Sequence, residues 1–488
     1  MSFLRRFLAI AVIVCGLLPT PLAAQERPVI IRNVTVVDAV EGSRAGQTVV
    51  LQHGRISAVG ADLADIPSDG TIIDGTDQYL IPGLWDAHVH LAYDPAITWR
   101  QFYPLALAHG VTYLRDTGGH LDRLAEARAK QKAGATPDLY VSGPLIDGAP
   151  RVYDGSPGRP DLSVEVATPE AAAAMVDALA AQGVALVKAY EMLTPEAFAA
   201  VIERAHAHNL KVAAHSPLQM SALETALSGV DDLQHLRNLE LDCAQDPAAL
   251  LAERREAFEQ SADKAGGDLR AEIHRHQRSA ALASQDAANC EALIAALAEH
   301  KVYQTPTLTV TRFIDARLFA RDDVRQSYAY MGPAIAKRWN AAARRIAAQP
   351  IDPTMLAYGT WANGMLKQLE TAGVPIMAGT DAPIGLLTPG DSLLSELALM
   401  AEAGLDPRTI LAAATITPAR FFGLEAEQGS IAAGMRADLV LLRANPLDYV
   451  GNYRAISMVI KDGVIHDRAA LDLMLAEAVA GQDEPASE

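Results

Sequence analysis

Leu84-Trp85-Asp86-Ala87-His88-Val89-His90 is the stretch from which the rest of the chain can be read. It is a short apolar run after Gly83, and its two histidines stand two residues apart. Side chains two apart on a strand share a face, so His88 and His90 can grip one ion. Alone, such a pair is more often two strand histidines satisfied by backbone groups. The remainder of the chain changes that balance. Further apolar strands alternate with helices at 110–116, 138–142, 184–190, 211–215, 232–235, 302–305 and 375–381. Thr168-Pro169-Glu170 and Thr194-Pro195-Glu196 each combine an N-cap, a proline at the first helical position and an early acid, and the helices they open stop at Gly183 and Asn209.

Eight strands alternating with helices predict an α/β fold, a (β/α)8 TIM-like barrel over 83–425, with an open doubly wound sheet as the alternative. Helical insertions around 244–300 and 313–371 exceed what a minimal barrel needs, and with Tyr328, Tyr330 and Trp339 they are expected to cap the mouth. Both ends of the chain read differently. Short β-type runs separated by Gly and Asp fill 25–82, and they return over 426–468, where Asp462-Gly463 favours a tight hairpin. The two ends are expected to form one small β-sandwich domain, followed by a C-terminal helix and tail over 469–488.

The 488 residues are 50% hydrophobic and 20% charged, which excludes wholesale disorder, and the length allows a sizeable core. A net charge of −18 disfavours nucleic acid and anionic membrane surfaces as partners, so a small-molecule substrate is expected. Residues 1–24 have a basic start, an apolar centre from Phe7 to Leu18 and a small Ala23-Ala24 end. This reads as a cleavable signal peptide, with a retained anchor helix as the other reading, and places the mature chain, free of the membrane, in the periplasm or outside the cell. In that setting Cys243 and Cys290 either form a disulfide closing a loop of about 48 residues or remain two isolated thiols. The number of chains that assemble, one or a homo-oligomer, is left open.

Beyond the first strand, Lys188, His215, His235 and Asp381 each fall at or near the carboxyl end of a separate strand, where barrel sites are assembled. Imidazole and carboxylate suit zinc, manganese and related divalent ions. A lysine fits such a set only after losing its charge or gaining a negative group. His88-Val89-His90, the Lys188 strand, His215, His235 and Gly379-Thr380-Asp381 together resemble the metal-dependent amidohydrolase superfamily, in its imidazolonepropionase and Xaa-Pro dipeptidase-like branch. The resemblance extends to the flanking β-domain, where Gly429-Ser430-Ile431 through Asp438-Leu439-Val440 looks like the superfamily's return strand.

That resemblance implies two divalent ions, zinc foremost, bridged by a carbon-dioxide-derived carbamate on Lys188. His88, His90 and Asp381 would hold one ion with the carbamate, and His215 and His235 the other. A metal-bridging hydroxide would be the nucleophile, with Asp381 as general base and later the proton donor to the leaving nitrogen. Lys188 lies in the apolar run Ala185–Tyr190, where burial favours the neutral amine that carboxylation needs. Tyr190, on the same face, either donates to substrate or packs in the core. Relatives in this branch carry a Gly-Gly-His-type loop after the third strand, whereas this chain has Ser142 to Gly148 followed by Arg151 and Tyr153. Arg151 can bind a carboxylate through its guanidinium fork or stand as a solvated loop charge, and Tyr153 is its companion as a candidate substrate contact.

Other histidines are set aside. His274 and His276 fall in a helix, where residues two apart face different ways, so they read as surface groups. His206 and His208 suit a helix C-terminus, and Asp116 and His120 suit turn or supporting roles near the mouth. The expected activity is hydrolysis of an amide-type carbon–nitrogen bond in a dipeptide or N-acyl amino acid. The alternatives are a lactonase or ester hydrolase on the same centre, or an inactive binding or scaffold protein.

Overall fold

A computed structural model describes residues 27–260 and 264–480, so the expected signal segment and the last eight residues lie outside the described ones. The β-rich ends do meet. Their strands form one continuous eight-stranded sheet in the order Val464–Asp467, Ile456–Lys461, Leu439–Leu442, Tyr79–Pro82, Val29–Asp38, Gly42–Gln52 and Arg55–Gly60, with Thr71–Asp74 also paired to Val29–Asp38. The junction between chain ends is the antiparallel register Leu439 to Pro82 through Leu442 to Tyr79. Val34, Val36, Leu51, Ile56, Leu439, Leu441 and Ile460 close a core separate from the main one. Asp462 and Gly463 both take positive φ, as a two-residue hairpin between right-twisted strands requires.

Seven of the eight expected central strands are present, all in parallel ladders. Leu84–Val89, Val111–Asp116 and Asp138–Val141 form one sheet. Leu186–Ala189, Lys211–Ala214, Asp232–Gln234 and Tyr303–Thr305 belong to a second, six-stranded one. Its other two members, Leu145–Asp147 and Ser163–Glu165, have no counterpart among the strands expected from sequence. The expected eighth strand at 375–381 needs correction. It makes only isolated parallel bridges, Ile376 with Gln304 and Ala382 with Val89. The physical reason is at its end: Asp381 has φ 67°, so the backbone turns out of the extended conformation. Gly379 is required there, because a Cβ would lie 2.7 Å from the Cβ of His88.

The Thr-Pro-Glu starts behave as their chemistry dictates. Thr168 and Thr194 accept from the amides of Ala171 and Ala197 and open helices Pro169–Ala181 and Pro195–Ala207. The first insertion is three helices, Pro247–Glu259, Gly266–Ala283 and Ala287–Glu299. Cys243 and Cys290 are joined by a disulfide, settling the alternatives left by the sequence. The second insertion does not place its aromatics as expected. Tyr328 and Trp339 pack edge to face away from the metal-ligand candidates, and Tyr330 sits against His109 beyond the first helix, Trp99–Ala108. These apolar rings find partners on the flank, where the C-terminal helix Arg468–Ala480 also packs. No helix among the described residues is long and apolar enough to cross a membrane.

The disulfide spans 47 residues of sequence and clamps the segment running on from His235 to the helix Ala287–Glu299. Replacing both cysteines by alanine should lower unfolding free energy by up to about 4 kcal/mol on the loop-entropy model, read from urea denaturation. An unchanged midpoint would assign the bond no part in stability.

Candidate metal centre

The parallel strands deliver their last residues to one cavity of about 220 Å³. His88, His90, Lys188, His215, His235 and Asp381 all line it, together with Tyr153 and Tyr190. Of the sequence-derived candidates, only Arg151 is not brought there. Its guanidinium is held by the Asp161 carboxylate at 2.9 Å and by the Ser163 carbonyl. The loop between the third and fourth expected strands satisfies Arg151 internally, which removes it from substrate contact.

The tightest group is His88, His90 and Asp381, whose ligand atoms lie within 4.8 Å of one another. Asp381 Oδ1 stands 3.2 Å from His88 Nε2 and 2.9 Å from His90 Nε2, and the two nitrogens are 3.2 Å apart. His235 is next to this group, its ring centroid 4.9 Å from that of His88, and His215 follows at 4.6 Å from His235.

Three imidazoles have their outer nitrogen met by a neighbour. His90 Nδ1 meets the Gly118 carbonyl at 3.0 Å, His215 Nδ1 meets Glu191 at 2.6 Å, and His235 Nδ1 meets the Thr307 hydroxyl at 2.5 Å. The Gly118 carbonyl and the Glu191 carboxylate can only accept, so His90 and His215 donate from Nδ1 and turn Nε2 to the cavity, the tautomer a metal ligand needs. Burial holds His215 and His235 well below the ordinary imidazole range and brings His88 down to about 3. They are therefore neutral bases. Burial alone would raise Asp381, but His88, His90 and His235 outweigh it and keep the carboxyl well below its usual range.

Lys188 is almost fully buried, and no hydrogen-bond partner meets its Nζ among the described residues. Burial pushes the amine well below its ordinary value; Asp232 opposes this, and Arg115 works with the burial. Asp232 is itself committed to Arg115 at 2.8 Å. The cavity thus holds a primary amine whose charged form burial disfavours, beside imidazoles and an ionised carboxylate. That donor set fits divalent cations, and the orphaned Nζ fits a carbamate-forming lysine.

The loops ending the strands carry much of the local strain. His235, Leu236, Asn238 and Thr307 join Asp381 in positive φ without being glycine, a concentration expected where backbone is over-determined by function. Asp86 holds one such turn: its carboxylate accepts from the Thr380 amide at 3.0 Å and hydroxyl at 2.7 Å. Glu396 holds another, accepting from the amides of Leu308 and Thr309 at 2.8 and 2.7 Å.

Sequence reasoning missed Glu191, Arg237 and Arg270, and misplaced His274. Glu191 is fully buried and accepts from His215 and from Arg237 at 2.5 Å. His274 is not a surface group, since its Nε2 lies 3.5 Å from Glu191 Oε2, whereas His276 is exposed. The helix Gly266–Ala283 is folded down over the cavity, and that burial could not be read from helical spacing alone. Glu191 did leave a signal, an acid directly after an apolar strand. Asp116 has the turn role expected, accepting from the amides of Leu91 and Gly118, and His206 and His208 pair with Asp231 and Asp177.

The model of the Amidohydrolase family matches residues 340–466, a stretch that contains Asp381. An adenine deaminase of Clostridium perfringens (strain 13 / Type A) is 35% identical over 83 residues, 17% of this chain and 14% of that protein. An imidazolonepropionase of Vibrio cholerae serotype O1 (strain ATCC 39541 / Classical Ogawa 395 / O395) is 32% identical over 121 residues, 24% of this chain and 29% of that protein. The chain therefore spans under a third of the length of these curated relatives. A crystal structure of a Xaa-Pro dipeptidase with bound methionine in the active site shares the fold, with a TM-score of 0.64 at 19% identity over 90% of this chain and 100% of the other. The resemblance to metal-dependent amidohydrolases of the imidazolonepropionase and Xaa-Pro dipeptidase-like branch is thereby borne out.

Glu191→Gln keeps the shape but weakens the acceptor that orients His215, so affinity for zinc should fall 10- to 100-fold, measured by competition with a chromogenic chelator. Affinity unchanged by the substitution would remove Glu191 from any part in orienting a ligand.

Proposed function

We propose that the chain is an exported, binuclear metal-dependent amidohydrolase that cleaves an amide-type carbon–nitrogen bond in a dipeptide or N-acyl amino acid. The observation that carries this reading is the convergence of four imidazoles, an ionised aspartate and a buried lysine with no hydrogen-bond partner among the described residues on one cavity. The disulfide supports an oxidising compartment, and hence export. Barrel closure is supported by backbone bonds beyond the ladders: Ala185 donates to Val141 at 2.9 Å, Ala87 to Ala378 at 2.9 Å and Gln304 to Pro375 at 2.9 Å.

His88, His90 and Asp381 would hold one ion, His215 and His235 the other, with Lys188 between them. Bound there, two divalent cations would acidify a water and polarise the scissile carbonyl. The remaining work falls to side chains. In its neutral form Lys188 Nζ would add to carbon dioxide, an N–C bond forming as one C=O π bond opens to an oxyanion and the N–H proton passes to solvent, and the resulting carboxylate would join the ligand set. Asp381 is ionised and can take a proton from the attacking water at a carboxylate oxygen, then return it to the leaving nitrogen. Tyr190 lines the same cavity, its ring centroid 4.4 Å from that of His215, where its hydroxyl can orient substrate.

Metal-replete protein should contain about two divalent ions per chain, lose turnover on chelation and regain it on readdition of zinc. Lys188→Ala should abolish most turnover, with partial rescue by short carboxylic acids. A hydrolysis screen sets dipeptides and N-acyl amino acids against lactones and esters. Exclusive turnover of the latter would replace amide hydrolysis by ester chemistry, and no turnover on any of them would leave a binding protein.

A further inference from the structure

Two guanidinium groups line the cavity, and they are not equivalent. Arg237 is neutralised: its NH1 lies 2.5 Å from Glu191 Oε1, the oxygen that also accepts from His215 at 2.6 Å. Arg270 stands 3.9 Å from that already shared oxygen and reaches the Tyr190 hydroxyl at 3.3 Å. One carboxylate thus faces two arginines, and the nearer one takes it. Arg270 keeps about a fifth of its side chain exposed and sits 5.7 Å from the centre of the Tyr153 ring. A guanidinium held by aromatic neighbours and poorly matched in charge is suited to a planar anion, which it can bind through two parallel hydrogen bonds.

Its placement is built in. The helix carrying Arg270 begins with Gly266-Gly267, pressed onto the loop that holds Tyr153. A Cβ on Gly266 would fall 2.0 Å from the Pro150 carbonyl oxygen, and one on Gly267 would fall 2.1 Å from Arg159 Nε. Asp268 and Arg159 pair across the same contact at 2.5 Å. Leu145, Leu162, Val310 and Ile384 supply apolar wall to the same cavity, suited to an aliphatic side chain.

We infer that Arg270 anchors a free carboxylate of the substrate, so that the cavity selects acid-terminated amides with an aliphatic side chain over their uncharged analogues. This rests on the hydrolytic reading above, and binding can be tested apart from it. Full-length protein freed of metal by dialysis against chelator is titrated calorimetrically with N-acetyl-L-leucine and with N-acetyl-L-leucinamide. The acid should bind at least tenfold more tightly. In Arg270→Met the acid should fall to the level of the amide, while Arg270→Lys should keep part of the preference, with melting temperatures of both variants compared with the parent.

Equal binding of the two probes by the parent, undetectable binding of both included, would overturn the inference. So would an Arg270→Met protein that still discriminates, or one that folds and loses both probes alike. On metal-loaded protein, KM for the acid-terminated amide should rise in Arg270→Met while kcat is retained. Selective binding of the acid with no amide turned over would sink the hydrolytic reading and leave the carboxylate anchor standing. Turnover of both amide classes with no preference for the acid would do the reverse.

Discussion

The double hydrogen bond between buried Asp86 and Thr380 is the joint on which the centre depends. Asp86 belongs to the strand that carries His88 and His90, and Thr380 precedes Asp381, so residues almost three hundred positions apart are locked into one register. The Asp381 amide then donates to the His88 carbonyl at 2.7 Å, which puts its carboxylate beside both imidazoles. Asp86 is fully buried, and this burial raises its carboxyl to about 7 despite the Thr380 bonds. A desolvated polar pair is costly to break, since either partner left alone would have no water to turn to.

Much of this was legible in the chain because ligands at strand ends are written in local pattern: an apolar run, then a histidine, lysine or aspartate. The same logic located the paired β-rich ends and the two helix starts. It failed where tertiary contact decides the outcome. The 375–381 segment has strand composition, yet it makes only isolated bridges and ends in a left-handed aspartate serving the site. Arg151 was chemically eligible, but Asp161, ten residues on, is close enough to claim it. Arg270 and His274 lie on a helix of weak apolar patterning, and nothing in their spacing announced that this helix would fold over the cavity.

The cavity is assembled in two layers that differ in how they can vary. Strand ends and the short turns after them carry the ligand set, constrained by register and by non-glycine residues in left-handed conformation. The insertion helix above contributes Arg270 to the cavity and sets His274 against Glu191, and it is fixed by a glycine contact, a disulfide nearby and a few ion pairs. Changes in the upper layer can alter which molecule enters while leaving the lower layer's donors in place.

The eight-stranded sheet brings a temporal consequence. Tyr79–Pro82 sits between Val29–Asp38 and Leu439–Leu442, so its second neighbour arrives only after the entire central segment between them has been made. Nascent chain leaving a ribosome can settle local helices and hairpins, but this edge must wait for the far end. A protein arranged so cannot complete itself prematurely, which suits a polypeptide that, on the proposed export, is threaded through a translocation pore before the final seam is drawn shut.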